Sequence, residues 1–193
     1  MHILSKRSLS TAALVGALVA TAASLQAAPT VQPVNGSTSV ELSADFINAL
    51  GALGLTPGTV GRGSLRGTTA RFPISGGAID IGTLKVEIAH DGGLSLSTDG
   101  VVVRLFNFNI DTTGSTPVLT GLVVVNGDFL GRLPLFDLEL TEGPTQRLRF
   151  LFLRNVNVTL SAVAADALNS IFGVTAFVEG FDIGVARVVA LVL

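Results

Sequence analysis

The sequence predicts an all-β domain, an antiparallel β-sandwich or barrel with two short capping helices. Three observations lead there. Apolar and polar residues alternate with a period of two through most of the chain, turn dipeptides fall between the alternating runs, and 22 glycines are spread over 193 residues. A strand sends successive side chains to opposite faces, so this alternation means one buried and one wet face, as in antiparallel sheets. Short strands separated by turns at this spacing build sandwiches or barrels.

The first 27 residues read as a secretory signal peptide. Lys6 and Arg7 make a positive start, Ala12 to Ala23 is an apolar run, and Ser24 to Ala27 supplies small residues for cleavage. The apolar run is shorter than the roughly 20 residues that span a bilayer. Cleavage after Ala27 and no membrane span in the mature form are therefore expected. Residues 28–37 are expected to be a flexible lead-in, and residues 38–193 a single β-rich domain. Such a length suffices for one sizeable core.

Two segments break the β pattern and resemble each other. Val40 to Thr56 (VELSADFINALGALGLT) and Val158 to Thr175 (VTLSAVAADALNSIFGVT) both run strand, serine, apolar-periodic stretch, glycine. Ser43 and Ser161 are expected N-caps, and Gly54 and Gly173 helix stops. Phe46, Ala49, Leu50 and Leu53 fall on one helical face; so do Ala164, Ala167, Leu168 and Ile171. The pair suggests a pseudo-repeat in which each helix plugs one open end of the β core.

Between them the strands follow in order. Leu84, Val86 and Ile88 alternate with Lys85, Glu87 and Ala89, and Leu94 and Leu96 with serines. Phe106, Phe108 and Ile110 are expected to point into the core against Phe136, Leu138 and Leu140. Asp99-Gly100 and Asn126-Gly127 are two-residue hairpin turns. Val188 to Leu193 (VVALVL) reads as a central strand, or as one donated to a neighbouring chain. A membrane barrel is disfavoured, because the chain has no Trp or Tyr for aromatic girdles.

Composition excludes more than it assigns. Without Lys6 and Arg7 the chain keeps 10 Lys+Arg against 14 Asp+Glu, and the basic residues are scattered arginines, densest at Arg147, Arg149 and Arg154. Nucleic-acid binding is not expected. There is no cysteine, so no disulfide staples the fold and burial alone must hold it. From Ala28 onward there is one histidine, His90, and no Cys, Tyr, Trp or Met. No nucleophile–base pair and no His/Cys metal spacing can be read. Asp91 and Asp99 fall in predicted turns, where Asp is ordinary. Asn107, Asn109 and Asp111 alternate like calcium ligands but belong to a solvated strand face. A carboxylate pair drawn from Asp80, Glu87, Asp137 and Glu139 is the one route left to a hydrolase.

The stretch Val86 to Leu96 (VEIAHDGGLSL) resembles the strand–His–x–Gly–x–Leu–x–Leu hairpin of haem-transport-associated (HtaA-type) domains in bacterial exported proteins. The surrounding order is also similar: a helix near Phe46, the short Phe72-Pro73-Ile74 segment, this hairpin, then Val101 to Ile110. The resemblance covers about 70 residues. It implies haem held by a tyrosine iron ligand with a helping histidine. Here His90 matches the helper, and the chain has no tyrosine.

Together these readings give a secreted or cell-envelope domain, not an enzyme and without a metal site. It binds a small apolar ligand or a cell-surface or matrix component. The alternative is a haem-binding HtaA-like module using His90 as the cofactor residue; a secreted hydrolase comes third. N-terminal sequencing of the exported protein should begin at Ala28, and an intact Met1 on a cytoplasmic species would refute the signal.

Overall fold

The computed structural model describes residues 30–193; the expected signal and its cleavage point at Ala27 lie outside them. The chain enters the sheet at once. β1 (Thr30–Val31) and β2 (Pro33–Leu42) occupy most of the stretch expected to be a flexible lead-in. The polar run Asn35-Gly36-Ser37 reads as loop on composition. It becomes strand because β2 lies between two neighbours that take up its backbone hydrogen bonds. A Cβ on Gly36, at φ +138°, would collide with the Val189 carbonyl, so only glycine lets the strands approach there.

Next come α1 (Ala44–Ala52), β3 (Thr56–Val60), β4 (Ser64–Arg66), β5 (Thr69–Asp80), β6 (Val86–His90) and β7 (Gly93–Thr98). Then follow β8 (Val101–Asp111), β9 (Val118–Val125), β10 (Asp128–Leu140), β11 (Thr145–Arg147), β12 (Phe150–Leu160), α2 (Ala162–Phe172) and β13 (Asp182–Val192). All strand pairings are antiparallel. The order β5-β2-β13-β12-β10-β9-β8 forms most of a ring, and β6 pairs with both β5 and β8 to close it. The result is an eight-stranded barrel. β4 continues the β5 edge past β6, β7 does the same on β8, and β3 pairs with β7, so the wall divides there into a side lobe.

At the division two turns meet backbone to backbone. Gly63 in the β3–β4 turn lies against Gly93, and Gly92 lies against the Gly63 nitrogen, leaving no room for any side chain. The Asn126-Gly127 hairpin forms as expected, joining Val125 to its partner Asp128 with positive φ at both turn residues.

Both helices form where expected. Ser43 Oγ accepts from the Phe46 N–H at 3.0 Å and Ser161 Oγ from the Ala164 N–H at 3.1 Å. Gly54 and Gly173 end them at φ +65° and +66°. They do not plug opposite ends, however. β2 and β12 both run antiparallel to the strand between them, β13, so their C-termini, and the helices that follow, lie at the same end. The start of β13 ties both down: the Ser43 N–H donates to the Ile183 carbonyl at 2.9 Å and Ser43 Oγ–H to the Asp182 carbonyl at 2.8 Å, while the Leu160 N–H donates to the Phe181 carbonyl at 2.9 Å. Phe46 from one helix and Ala164 and Leu168 from the other line a shared void of about 40 Å³.

The core is aliphatic with a few phenylalanines. Phe108 is 3 % exposed and meets Phe72 edge-on at 5.0 Å between ring centres. Ile110 and Leu138 are buried as expected. Phe106 is not. The β8–β9 register shifts between Phe106 and Asn109, and Asn107 takes φ +50°. This bulge resets the alternation, so Leu105 and Phe108 face inward while Phe106 is half-buried opposite Gly93. The C-terminal strand pairs within the chain on both edges, with Val188, Ala190 and Val192 buried inward.

In denaturant unfolding, Phe108→Ala should cost about 3–5 kcal/mol and Phe106→Ala about 1–2 kcal/mol. Equal losses would place the bulge elsewhere.

Candidate functional site

His90 is the last residue of β6, on the face carrying Val86 and Ile88, and that face points into the barrel. It is 3 % exposed, although a polar residue beside a turn would ordinarily be at the surface. Two partners make this tolerable. Nδ1 lies 3.3 Å from the Phe108 carbonyl oxygen and Nε2 lies 2.7 Å from Thr38 Oγ1. A carbonyl only accepts, so Nδ1 carries the proton and Nε2 accepts from the threonine hydroxyl. Thr38 is itself 2 % exposed, on β2, which pairs the other edge of β5. The pair thus ties β6 to β2, the second strand along the barrel wall.

Burial pushes the His90 pKa from 6.5 down to about 4; the backbone of Phe108 and Ile88 and the charge of Asp91 oppose this only weakly. The ring is neutral at pH 7. The space beside it is a cavity of about 80 Å³ with apolar surroundings such as Phe46, Phe72, Leu105 and Phe108. That is smaller than the roughly 150 Å³ that accommodates benzene in an apolar core. The other buried polar side chains are also paired: Thr112 Oγ1 accepts from the Val86 N–H at 2.9 Å, and Ser161 caps α2 while donating to the Pro134 carbonyl at 2.8 Å.

The candidate carboxylates are not brought together. Asp80 caps its own turn, accepting from the Gly82 and Thr83 N–H groups at 2.7 and 3.0 Å, and these bonds hold its carboxyl below the usual range. Glu87 is exposed on β6. Asp137 and Glu139 lie on the outer face of β10, where Glu139 accepts from Asn157 at 3.2 Å. None of the four lines either interior cavity. Asp91 ion-pairs with Arg62 at 3.2 Å. The Asn107–Asn109–Asp111 series does not share a face, because Asn107 is in the bulge; Asp111 turns back to Thr113, whose hydroxyl and N–H lower its pKa. Among the described residues no three His, Asp or Glu side chains gather as a metal site. Also among them, no helix is long and apolar enough to cross a membrane.

The run Arg147-Leu-Arg-Phe-Leu-Phe-Leu-Arg154 carries a signal that counting charges does not reveal. Leu151 and Leu153 face inward, while Phe150 and Phe152 lie on the outer face. An outer face bearing aromatics and arginine is not simply solvated.

The chain matches no protein-family model and no curated protein. Its fold does match solved structures. The C-terminal domain of HtaA from Corynebacterium glutamicum aligns with a TM-score of 0.69 at 16% identity, covering 84% of this chain and 99% of that one. This chain has the HtaA fold. The N-terminal domain of the same protein gives a TM-score of 0.62 at 13% identity, over 82% of this chain and 97% of that domain. HtaB, described as a heme binding protein of the same organism, gives 0.56 at 12%, over 86% and 96%.

Acid should expose the buried imidazole. Folded His90 stays neutral to about pH 4, whereas the unfolded chain takes up a proton near 6.5, so the unfolded state binds more protons between those values. Stability should fall as pH drops from 6.5 to 4, by up to about 1.4 kcal/mol per unit. His90→Gln should remove the slope in its upper part, above the range where Glu41, Asp80 and Asp111 take up protons, and an unchanged slope there would contradict the burial. Thr38→Val should cost about 1–3 kcal/mol by leaving Nε2 without its donor.

Proposed function

We propose that this chain is a non-catalytic binding domain, exported to the cell envelope or beyond, whose ligand is a hydrophobic small molecule. What supports the non-catalytic reading is the state of His90. The one imidazole after residue 27 is neutral, enclosed and engaged at both nitrogens, and Asp80, Glu87, Asp137 and Glu139 line neither interior cavity. The imidazole is not poised toward an opening as a general base. The leader-like first 27 residues support export.

Haem is the first ligand to test, and the observation that favours it is the shared HtaA fold, which extends to a heme binding protein. The residues present do not fit an internally ligated haem. Among the described residues His90 is the one candidate iron ligand, its nitrogens are taken, and the cavity beside it is about 80 Å³, against roughly 300–1,000 Å³ for pockets that engulf a ligand of that size. Any bound porphyrin therefore either opens the barrel at β6 or lies against its outside.

Haemin titration separates these cases. A shifted Soret band that disappears in His90→Ala would mean the barrel opens to the iron. Saturable binding that persists in His90→Ala, and is matched by metal-free protoporphyrin, would mean an outer site. No saturable binding of either would refute haem as the ligand.

A further inference from the structure

The outer wall of β12 and β13 carries an amphipathic strip remote from His90. Phe150 stands opposite Leu191 and Phe152 opposite Val189, so four apolar side chains share the outer face. Phe150 is 43 % exposed and the others are half-buried. Arg147 on β11 is paired with Phe150, and beyond Phe152 the strip is again cationic. The Arg154 guanidinium carbon sits 5.0 Å from the centre of the Phe152 ring. Arg187 projects from β13 beside it; Ser39 pairs with Arg187 and in turn with Arg71. At this level β12 bulges between Leu153 and Val156. A groove of about 540 Å³ opens there, lined by Arg154, Arg187, Ser39, Glu41 and Glu142 among others.

The charges in this groove are unevenly satisfied. Glu41 accepts from the hydroxyls of Thr68 and Thr69, and Glu142 accepts from Asn155 at 2.7 Å. Arg71 donates to Ser37 Oγ at 3.0 Å. Arg154 and Arg187 have no carboxylate within ion-pair distance among the described residues, where Arg62–Asp91 is the one ion pair. Nε of Arg154 is, among those residues, the buried side-chain donor with no partner. Buried donors nearly always have one.

We propose that this wall is a binding site for a carboxylate-bearing amphiphile, its apolar part lying on Phe150, Phe152, Leu191 and Val189 and its carboxylate held by Arg154 and Arg187. A carboxylate matches the guanidinium forks of Arg154 and Arg187, which no carboxylate of the described residues pairs. Phe150 and Arg154 are four residues apart on one strand, about 13 Å, the reach of a medium-chain fatty acid. A neutral or cationic amphiphile would leave the arginines unmet, and a small anion would leave the strip wet. The site needs neither a metal nor His90, so it stands apart from the haem reading.

Isothermal titration of the mature protein with decanoate, decanol and decylamine below their micellar concentrations tests it. Decanoate should bind saturably to one site at least tenfold more tightly than decanol, with decylamine weakest. Arg154→Gln and Arg187→Gln should each weaken decanoate about tenfold while leaving decanol and the unfolding midpoint unchanged. Phe152→Ser should weaken both decanoate and decanol, and His90→Ala neither. Decanoate binding no tighter than decanol, non-saturable uptake, or full affinity in both arginine variants would overturn the proposal. Loss of haemin binding alone would bear on the preceding reading and leave this one standing.

Discussion

Closure of the barrel rests on five residues. Val86–His90 form a strand paired on both edges, to β5 and to β8, and without them the two ends of a long curved sheet would be left as open edges. Unpaired edges expose backbone donors and acceptors and invite association, and closing the ring removes them. Val86 and Ile88 sit at 0 % exposure because they stand where the wall closes over the core. The tight glycine contacts at the next turn follow from the same closure: once β6 ends, the wall must divide into β4 and β7, and only glycine at positions 63, 92 and 93 lets the two turns lie against each other.

The same strand makes the imidazole internal. Its alternation sends Val86, Ile88 and His90 to one side, and closure makes that side the interior. The cost of burying a polar ring is offset by two hydrogen bonds, one to the backbone of β8 and one to Thr38 on β2. His90 therefore behaves as a polar cross-brace in an apolar core. A histidine held this way contributes to one well-defined packing, and it becomes a reactive group only if the wall around it parts.

Inside and outside thus divide the work. The interior is nearly filled, with residual voids of about 80 and 40 Å³, and its polar groups are paired. The outer wall is where unmet interactions remain, most plainly at Arg154, which stacks on Phe152 yet leaves Nε without an acceptor. Because β12 and β13 are paired on both sides within the barrel, a partner or ligand meeting that wall is recognised by side chains, and their outer faces carry the aromatic and cationic groups for it.

The sequence by itself determined the antiparallel β class, the two serine-capped helices and the Asn126-Gly127 turn. Each is a local property, decided by period, cap and turn chemistry within a few residues. It also brought forward His90, through its hairpin. What it could not determine depended on neighbours distant in the chain. Thr30–Val31 and residues 33–37 become strand because β5 pairs with the first and β13 with the second. The helices share one end because β2 and β12 both run against β13, a matter of topology with no local signature. Phe106 leaves the core because one bulge at Asn107 shifts the face of everything beyond it. His90 is buried, and Phe150 and Phe152 face outward beside arginine, only once the ring closes. Alternation says that two faces differ; only closure says which of them is the inside.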